Sequence, residues 1–222
     1  MKREIIITSD GSTTIQIPEW NEQYHSIHGA IQEAYHVFIK QGLESISKKK
    51  ISILEIGFGT GLNAFITFLE AQKNKLEIDY VGVEAYPVSL HEIEQLNYVT
   101  ELKATSFMDV FSKFHKSTWE EEHLISKDFS LRKRKQFFHE ITDQNHFDLI
   151  YFDAFGARLQ PELWTEEIFS KMFVALKDKG TLVTYSAKGS VRRAMQAVGF
   201  TVERLPGPPG KREMLRAVKY ET

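Results

Sequence analysis

Cysteine is absent from the 222 residues of this sequence. Its absence excludes disulfide bonds, thiolate metal ligands and cysteine nucleophiles, and it fits a reducing cytoplasm. No run of eighteen apolar residues and no charged, apolar leader is present, so we expect no membrane span and no signal peptide. The sequence also lacks a Gly-x-Ser-x-Gly nucleophile elbow and a Gly-Lys-Ser/Thr phosphate loop, which excludes the enzymes that depend on them.

The composition is that of one ordinary globular domain. Hydrophobic residues make up 42% of the chain and sixteen residues are phenylalanine, which is enough for a substantial core. With a formal net charge of −2, a nucleic-acid partner would have to meet a local basic patch. Among the scattered histidines, His25-x-x-His28 has a spacing that suits a metal, but no third ligand is in view and we predict no metal site.

The most informative segment is an apolar strand, residues 51–56, that runs into a turn containing Gly57, Gly59 and Gly61 and then into a helix over residues 62–72. Glycine allows positive φ angles and lets a ligand approach the backbone. The free N–H groups at the start of the helix face the same crevice. The pattern predicts a nucleotide-cofactor site at the edge of a parallel sheet, and a turn that merely joins strand to helix is the plainer alternative.

The spacing of the glycines indicates which cofactor to expect. A dinucleotide fingerprint is Gly-x-Gly-x-x-Gly, whereas this turn is Gly-x-Gly-x-Gly preceded by Glu55. In that form it resembles motif I of the class I S-adenosylmethionine methyltransferases. A second acid, Glu84, ends the next apolar run, residues 78–84, where a carboxylate can accept hydrogen bonds from both ribose hydroxyls.

These patterns predict a Rossmann-like α/β fold with a mostly parallel seven-stranded sheet, an antiparallel last strand and a small N-terminal hairpin and helix. We divide the chain into an appendage, residues 1–45, and a methyltransferase domain, residues 46–222. An Asp-Gly turn between residues 4–8 and 13–17 indicates the hairpin, and helical spacing follows over residues 27–39. Further strands are predicted over residues 51–56, 78–84, 129–134, 147–153, 180–185, 200–204 and 212–219, helices over 62–72, 88–97, 136–141, 165–176 and 189–198, and helical segments within 98–128.

Asp153 ends the strand over residues 147–153, and strand carboxyl ends carry function in open α/β sheets. Methyl transfer to nitrogen needs a neutral lone pair, whereas an alkyl amine has a pKa of roughly 10.4 and is protonated at neutral pH. A carboxylate can hold the ammonium, orient it and take its proton. We therefore predict that Asp153 is catalytic; its alternative role is a helix or turn cap before Pro161.

Positive charge is concentrated near the C-terminal end of the chain, and the remainder is correspondingly acidic. Between residues 185 and 220, eight basic residues stand against the two acids Glu203 and Glu213. The asymmetry indicates a face that contacts phosphate, although a solvated hairpin would show the same pattern. The eight are Lys188, Arg192, Arg193, Arg204, Lys211, Arg212, Arg216 and Lys219.

Four stretches that span most of the chain together resemble one family. They are His28-Gly-Ala-Ile-Gln-Glu-Ala-Tyr-His-Val-Phe; Glu55-Ile-Gly-Phe-Gly-Thr-Gly-Leu-Asn; Tyr151-Phe-Asp-Ala-Phe with Pro161-Glu-Leu-Trp-Thr; and Gly180-Thr-Leu-Val-Thr-Tyr-Ser with Val191-Arg-Arg, Gly199-Phe and Gly210-Lys-Arg-Glu-Met. They are similar to the bacterial methyltransferases that complete 5-methylaminomethyl-2-thiouridine at the tRNA wobble position, found as the methyltransferase half of MnmC and alone as MnmD. The glycine motif would indicate only the superfamily; the Asp-Ala-Phe block and the Gly-Lys-Arg-Glu-Met segment are narrower.

The resemblance implies a cytoplasmic enzyme that transfers a methyl group from S-adenosyl-L-methionine to the amine of 5-aminomethyl-2-thiouridine in tRNA, with Asp153 matching the active-site aspartate. The implied cofactor-binding residues are Glu33, Glu55, Gly57, Phe58, Gly59, Thr60, Gly61, Asn63, Glu84 and Asp153. The implied substrate and RNA contacts are Tyr35, Phe155, Lys188, Arg192, Arg193, Lys211 and Arg212, with Tyr185 and Trp164 as further stacking candidates for a flipped base. Glu33 could instead lie on a solvated helix face, and Tyr35, Phe58 and Phe155 could belong to the core.

Two features depart from the family pattern. The family usually has an acid after the third strand for the adenine amino group; here Gln136 follows the strand and Asp128 precedes it, so either Gln136 substitutes or the predicted register is wrong. No FAD-binding oxidase domain follows, so we expect another enzyme to supply the aminomethyl substrate and no methylation of tRNA that carries only the carboxymethyl form. A small-molecule or polyamine-type transferase and a non-catalytic protein that binds S-adenosylmethionine and RNA are the alternative functions.

Overall fold

The computed structural model describes residues 2–220. Its strands are β1 (Glu4–Ile7), β2 (Thr13–Ile17), β3 (Glu22–Gln23), β4 (Lys50–Ile56), β5 (Glu77–Val83), β6 (Glu122–Ser126), β7 (Phe129–Arg134), β8 (Phe147–Phe152), β9 (Leu176–Thr184), β10 (Thr201–Pro206) and β11 (Glu213–Val218). Its α-helices are α1 (Ala30–Ala34), α2 (Leu62–Asn74), α3 (Leu90–Ile93), α4 (Tyr98–Glu101), α5 (Met108–Lys116), α6 (Glu166–Ala175) and α7 (Gly189–Ala197). A π-helical segment, Tyr35–Lys40, continues α1.

The large sheet confirms the predicted α/β fold. Its strand order is β10-β11-β9-β8-β4-β5-β7-β6, and the five strands from β9 to β7 run parallel to one another. The predicted antiparallel last strand is also present, since β11 pairs antiparallel with both β9 and β10. Short loops suffice for the β10–β11 connection, whereas each parallel pair needs a crossover.

The predicted number of seven strands is wrong for the described chain, residues 2–220, because the sheet has eight. The additional strand is β6, which lies within residues 98–128, where helical segments were expected. It pairs antiparallel with β7 across a two-residue connection, residues 127–128, and its register shifts between Leu124 and Ser126. The helical expectation held for α4 and α5. The run of three glutamates concealed the start of β6, because strand alternation begins only at its last member, Glu122.

Two predicted helices are much shorter in the structure. The segment 88–97 is helical only over α3, where Ser89 and Glu92 form a capping box. Its end, Asn97, is instead held by the N-terminal hairpin, since the Asn97 side chain accepts from the Thr13 N–H and donates to the Gly11 carbonyl. The segment 136–141 contains only the 3-10 turn Phe138–Glu140, and a two-bond ion pair joins the residues Arg134 and Asp143 on either side of it.

The central strands set the position of the candidate site. Strand β8 is buried along its whole length and β4 along all but its first residue, as expected for parallel strands covered by helices on both faces. The parallel register aligns Glu55 with Gly82 on one side and with Tyr151 on the other. The residues that follow β4, β5 and β8 therefore emerge at one edge of the sheet, which is where open α/β sheets bind ligands.

Aromatic side chains pack on both faces of the sheet behind this edge. On one face Phe65 and Phe68 of α2 and Phe114 of α5 pack over β4, β5 and β7. On the other face Phe169 of α6 packs against Phe152 with ring centroids 5.1 Å apart. Such buried rings contribute large apolar areas and prefer tilted or edge-on contacts of this kind.

The predicted N-terminal hairpin is formed by β1 and β2, and β3 extends it to a separate three-stranded sheet. Asp10 in the turn accepts hydrogen bonds from Ser12 and from the Gln32 N–H, which joins the hairpin to α1. The helix predicted over residues 27–39 begins later, at Ala30, after Gly29 at a φ of 138°. Over residues 2–220, no helix is both long and apolar enough to cross a membrane.

A buried aspartate anchors the edge of the sheet opposite the candidate site. Asp148 is 4% exposed and accepts from Lys48 at 2.6 Å, from Lys177 at 2.9 Å, and from the Ser52 N–H and hydroxyl. Burial alone would raise the pKa of this carboxyl, but the hydrogen bonds from Lys48, Ser52 and Lys177 outweigh it and hold the pKa well below its usual range.

We expect Asp148→Asn to lower the stability of the protein at pH 7 by about 2 kcal/mol, because charge-assisted hydrogen bonds are lost from a buried acceptor. A depressed pKa stabilises the fold above the unfolded pKa of roughly 3.9 and ceases to do so as the pH falls through the folded value. The difference between variant and parent in thermal melts should therefore be largest at pH 7 and smaller at pH 3, where the unfolded carboxyl is mostly protonated and the folded one is not. Asp109→Asn, at an exposed position of α5, is the control, and an equal loss there would contradict the assignment.

Candidate active site

A cavity of about 620 Å³ lies at the carboxyl edge of the sheet, in the size range of small-molecule sites. The sheet supplies its floor through Gly57 and Gly59 after β4, Glu84 after β5, Asp153 after β8 and Tyr185 after β9. Its roof comes from the N-terminal segment between residues 17 and 33, and one wall comes from the β10–β11 loop. Of the predicted site residues, Glu33, Gly57, Gly59, Glu84, Asp153, Phe155 and Lys211 line it.

The glycine turn has the geometry that the sequence predicted. Gly57, Gly59 and Gly61 all have positive φ, at 88°, 48° and 71°. A Cβ at Gly57 would lie 2.7 Å from the Asp153 carbonyl oxygen, and one at Gly59 would lie 3.2 Å from the Tyr24 ring. Glycine is therefore required both by the backbone and by the close approach of neighbouring segments.

Glu84 lies beside this turn and orders it. Its two carboxylate oxygens accept from the N–H groups of Gly59 at 3.1 Å and Tyr86 at 2.9 Å. Burial raises the pKa of Glu84, against the effect of these backbone hydrogen bonds. Each oxygen retains capacity for a further hydrogen bond, so the carboxylate can still accept from two hydroxyls in the cavity.

Asp153 is held in place by a buried polar chain. The Asn63 amide donates to Asp153 at 2.8 Å and to Glu55 at 2.9 Å, and the Tyr80 hydroxyl donates to Glu55 at 2.9 Å. Burial raises the pKa of Asp153 to about 7; the nearby Glu33 charge adds to this effect, whereas Asn63 and Lys211 oppose it. Asp153 is thus poised to exchange a proton near neutral pH.

A cation lies at the same end of the cavity. The Lys211 ammonium forms an ion pair with Glu33 and lies 4.0 Å from the centroid of the Tyr185 ring. Glu33 is itself fixed by the Ser26 N–H, which donates to it at 3.0 Å. The Tyr185 hydroxyl donates to the Ala154 carbonyl at 2.8 Å, so the ring cannot turn away. Lys211 therefore faces the cavity, whereas its charge alone had indicated a phosphate contact.

Aromatic residues from the N-terminal segment complete the cavity and were not predicted. The Phe155 ring makes edge contacts with Tyr24 at 5.0 Å and with Trp20 at 6.0 Å between centroids. Trp164, a predicted stacking candidate, does not line the cavity; its indole N–H donates to the Phe155 carbonyl at 2.8 Å. Trp20 and Tyr24 were missed because nothing in their local sequence marks them, and only the hairpin brings them over the sheet.

The opposite end of the cavity has apolar walls as well. Phe137, Phe138 and His139 line it after β7, together with Tyr86, and the Tyr86 and Phe137 rings meet edge-on at 6.0 Å. The predicted register of β7 is correct, but Gln136 does not line the cavity and Asp128 precedes the strand. Tyr86 and Phe137 each lie just beyond a strand end, and this position in the sequence could have identified them as residues of the cavity wall.

Several predicted cofactor residues support the site from behind. Glu55, Thr60, Gly61 and Asn63 do not line the cavity. The Thr60 side chain bonds to the partly buried ring of His25 at 2.6 Å and to Tyr98 at 3.2 Å. Phe58 is 3% exposed and packs on Gly82, where a Cβ would come within 2.3 Å of its ring. Tyr35 faces a separate shallow groove and hydrogen-bonds to Glu70.

The two histidines of the His-x-x-His pair lie in different surroundings. His25 bonds to Thr60, and burial lowers its pKa to about 4. His28 lies against Gly210, where a Cβ would come within 2.2 Å of its ring. Across the described residues, no three His, Asp or Glu side chains come together as a metal site would require.

The basic cluster separates into two groups. Arg204 and Arg216 form ion pairs with Glu213 and Glu203, Lys219 is buried against Asn145 and the Leu176 carbonyl, and Lys211 is in the cavity. In contrast, no ion pair is found for Lys188, Arg192, Arg193 or Arg212 within residues 2–220. The Arg192 Nε is buried and has no hydrogen-bond partner in that same part of the chain.

The residues around the cavity fit S-adenosyl-L-methionine, the cofactor that the glycine motif implies. The glycine turn brings backbone N–H groups to the cavity without Cβ atoms in the way. Glu84 offers acceptors for two ribose hydroxyls, and Tyr86, Phe137 and Phe138 offer apolar walls for a flat base. The cofactor needs polar contacts at its ribose and apolar walls at its base, and the cavity supplies both.

Comparisons with known proteins agree with this geometry. A family model described as S-adenosyl-L-methionine-dependent methyltransferase matches residues 94–220. The tRNA 5-methylaminomethyl-2-thiouridine biosynthesis bifunctional protein MnmC of Leptospira borgpetersenii is 29% identical over 211 residues, covering 88% of this chain and 32% of that protein. Its counterpart in Cupriavidus metallidurans is 26% identical, covering 95% of this chain and 33% of that protein. The chain thus spans about a third of the length of the curated relatives it matches.

Among solved structures, MnmC2 from Aquifex aeolicus matches with a TM-score of 0.72 at 25% identity, over 97% of this chain and 70% of that one. Spermidine synthase from Thermotoga maritima has a TM-score of 0.59 at 15% identity, over 98% and 68%, which shows a shared fold. Since the family model covers more than half of the sequence, the chain belongs to the S-adenosyl-L-methionine-dependent methyltransferases, and S-adenosyl-L-methionine is its cofactor.

Proposed function

We propose that this enzyme transfers a methyl group from S-adenosyl-L-methionine to the primary amine of 5-aminomethyl-2-thiouridine at the tRNA wobble position. The observation that carries the proposal is Asp153, a cavity-lining carboxyl beside the glycine turn with a pKa raised to about 7. The names of the MnmC relatives, which are similar over most of this chain, support the choice of nucleoside. We further propose that residues 1–45 are an appendage that roofs the site and residues 46–222 the methyltransferase domain; Met1 and residues 221–222 lie outside the described part.

The raised pKa of Asp153 suits removal of a proton from an alkylammonium. Such a group has a pKa of roughly 10.4, so transfer to an ordinary aspartate of pKa about 3.9 would cost about 9 kcal/mol. With Asp153 at a pKa of about 7, the same transfer costs about 5 kcal/mol at 1.36 kcal/mol per unit. Burial thus makes the aspartate a much better base, while Asn63 keeps it oriented toward the cavity.

The cofactor would be held by the glycine turn, by Glu84 at the ribose and by the apolar wall at Tyr86 and Phe137. When bound, it supplies a methyl group on a positively charged sulfur. The protein's part is to orient the amine in line with that group and to exclude water, and positioning of this kind can account for much of the rate. The N-terminal roof at Trp20 and Tyr24 closes the cavity above Phe155.

A target base turned out of the anticodon would enter against Phe155. Single-stranded RNA bases are commonly recognised by stacking on aromatic rings. The Trp164 indole N–H donates to the Phe155 backbone carbonyl, and the Tyr24 ring flanks the Phe155 ring. We assign the stacking role to Phe155, because Trp164 is buried behind it and the Tyr185 ring is covered by Lys211.

The unpaired basic residues are proposed to contact the tRNA backbone. Lys188 precedes α7 and follows Tyr185 by three residues, so it cannot lie more than about 11 Å along the chain from the cavity wall. Arg192 and Arg193 follow on the first turns of that helix, and Arg212 is adjacent to Lys211. Such contacts position the RNA without reading its sequence. A tRNA substrate also places the enzyme in the cytoplasm.

The test is transfer of a labelled methyl group from S-adenosyl-L-methionine to tRNA from cells that lack this gene, followed by nucleoside analysis. Label in 5-methylaminomethyl-2-thiouridine is expected from the parent protein. Matched tRNA that carries only the carboxymethyl form should remain unlabelled. Label in no nucleoside, despite measured cofactor binding, would discard the tRNA assignment and favour a small-molecule transferase or a non-catalytic binding protein.

The glycine turn gives a prediction of its own. We expect Gly59→Ala to weaken S-adenosyl-L-methionine binding by about tenfold, because the turn must shift to relieve a left-handed alanine, which costs roughly 1–2 kcal/mol, and the contact of its Cβ with the Tyr24 ring, and this shift displaces the backbone N–H groups from the cofactor. Isothermal calorimetry measures the change. Gly189→Ala, at the first position of α7 with ordinary φ, is the control. Equal affinities for Gly59→Ala and parent would show that the cofactor does not approach this turn.

A further inference from the structure

The Lys211 ammonium occupies a site built to hold a cation. Three separate elements contribute to it: α1 through Glu33, the end of β9 through Tyr185, and the β10–β11 loop through Lys211 itself. The carboxylate faces the ammonium, and the face of the Tyr185 ring lies 4.0 Å from it. A carboxylate together with an aromatic face is the usual recognition set for an ammonium group.

The acidic part of this site is fixed, whereas the cation is not. The Glu33 side chain is 10% exposed and is tied to the Ser26 N–H, and the Tyr185 hydroxyl is tied to the Ala154 carbonyl. Lys211 extends from a loop, its side chain is 32% exposed, and Glu33 is its hydrogen-bond partner. A flexible four-carbon stem lets the ammonium leave for solvent while the carboxylate and the ring stay in place.

The loop is nevertheless directed at this site. Gly210 packs against His28 so closely that a Cβ would come within 2.2 Å of the imidazole, and the Lys211 N–H donates to the Pro208 carbonyl at 2.9 Å. These contacts bring the β10–β11 loop against the N-terminal segment. Lys211 thereby reaches the Glu33 carboxylate and the face of the Tyr185 ring.

We propose that Glu33 and Tyr185, facing Asp153, form a subsite for a primary alkylammonium group of a ligand, and that Lys211 fills it in the free protein and is displaced when the ligand enters. The end of a lysine side chain and an aminomethyl group have the same chemistry: a CH₂ carrying an ammonium. This inference rests on the proposed function for one of its two ligands, the amine of the nucleoside; the other is the α-ammonium of S-adenosyl-L-methionine.

Displacement also accounts for the charge balance of the cavity. Glu33 lies near Asp153, and its charge disfavours the charged form of Asp153, whereas the Lys211 cation favours it. Lys211 supplies that cation in the free protein, and the ligand ammonium supplies it in the complex. The site therefore never holds both carboxylates without a cation beside them.

The experiment compares Glu33→Gln, Lys211→Met and a matched control, Lys49→Met, whose side chain is exposed at the opposite edge of the sheet. Calorimetry measures the affinities for S-adenosyl-L-methionine and for 5′-methylthioadenosine, which lacks the ammonium. Kinetics measure KM and kcat for tRNA.

If the cofactor supplies the ammonium, Glu33→Gln lowers the affinity for S-adenosyl-L-methionine at least tenfold and leaves the affinity for methylthioadenosine unchanged. If the nucleoside supplies it, Glu33→Gln leaves both affinities unchanged and raises the KM for tRNA at least tenfold.

Lys211→Met tests displacement independently of Glu33. Since the internal competitor is gone, the ammonium-bearing ligand should bind as tightly as to the parent or more tightly, by up to about tenfold. A tenfold loss of affinity instead would mean that Lys211 contacts the ligand directly, which overturns displacement.

A folded Glu33→Gln protein with unchanged S-adenosyl-L-methionine affinity and unchanged KM for tRNA overturns the proposed subsite. Absence of tRNA methylation by the parent would contradict only the proposed function, because the two calorimetric affinities are still measured.

Discussion

Replacement of Asp153 by asparagine is expected to lower kcat for tRNA methylation by about 10²–10⁴-fold, the usual contribution of a positioned general base. Asparagine has nearly the same shape and can still accept the hydrogen bond from Asn63. It cannot take a proton, so an ammonium in the cavity remains charged and lacks the lone pair needed for transfer. The affinity for S-adenosyl-L-methionine should fall far less than kcat, because Glu84 at the ribose and Glu33 at the ammonium subsite both remain in place.

The same substitution should stabilise the protein. The folded-state pKa of Asp153 is raised above the unfolded value of 3.8 to about 7. The folded state therefore holds the proton more tightly, and stability falls as the pH rises from about 3.8 to about 7. A neutral asparagine does not carry this cost, which at 1.36 kcal/mol per pKa unit is at most about 4 kcal/mol above pH 7. Active-site groups commonly reduce stability in this way.

Two measurements distinguish this account from a structural cap. Melting temperatures of Asp153→Asn and the parent should converge near pH 4 and diverge at pH 8, with the variant more stable. The parent's kcat/KM should rise as the pH increases through about 7. Any residual activity of the variant should not show this rise. A variant that melts lower than the parent, or that loses cofactor affinity as severely as kcat, would mean that Asp153 mainly holds the turn together. Asp109→Asn should leave both quantities unchanged.

The floor of the site could be predicted from the sequence because it depends on local patterns and on one topological rule. Gly57, Glu84 and Asp153 each follow an apolar strand, and parallel pairing brings such positions to one edge. Glu55 and Asn63 were predicted as cofactor contacts from the same motif, yet they do not line the cavity and instead support Asp153 from behind. Sequence spacing places a residue on an element; it does not say whether the side chain reaches the cavity or holds a neighbour that does.

The roof and the charged wall could not be predicted, for a different physical reason. Trp20 and Tyr24 come from a hairpin whose position over the sheet is fixed by tertiary contacts such as those of Asn97. Lys211 was counted with the phosphate contacts because a count of charges cannot reveal that Glu33, far away in the chain, is its partner. Contacts between residues distant in sequence carry no local periodicity, so only the folded chain discloses them.

Some basic residues form ion pairs and others do not, and this difference allows a test of where the tRNA backbone binds. Reversal of charge at Arg192 and Arg193 together should weaken tRNA binding by about 10–100-fold at moderate salt. Both lie on α7 and neither forms an ion pair within residues 2–220. Each phosphate contact that is lost reduces the slope of log K against log salt concentration by roughly 0.7–0.9. A plot between 50 and 200 mM salt should therefore flatten by nearly two units.

The control for this prediction is an equal change of charge at residues that already have partners. Arg204 and Arg216 are paired with Glu213 and Glu203 on the neighbouring strand, so reversing both alters the net charge of the protein equally. If tRNA binding depended only on the overall field, the two double variants would behave alike. A flattened salt slope for Arg192→Glu with Arg193→Glu, and a nearly parental slope for the control, would instead locate the RNA on α7. If both double variants keep the parental slope, the RNA must bind another face. The loss of a phosphate contact always changes the number of ions released, and therefore the slope.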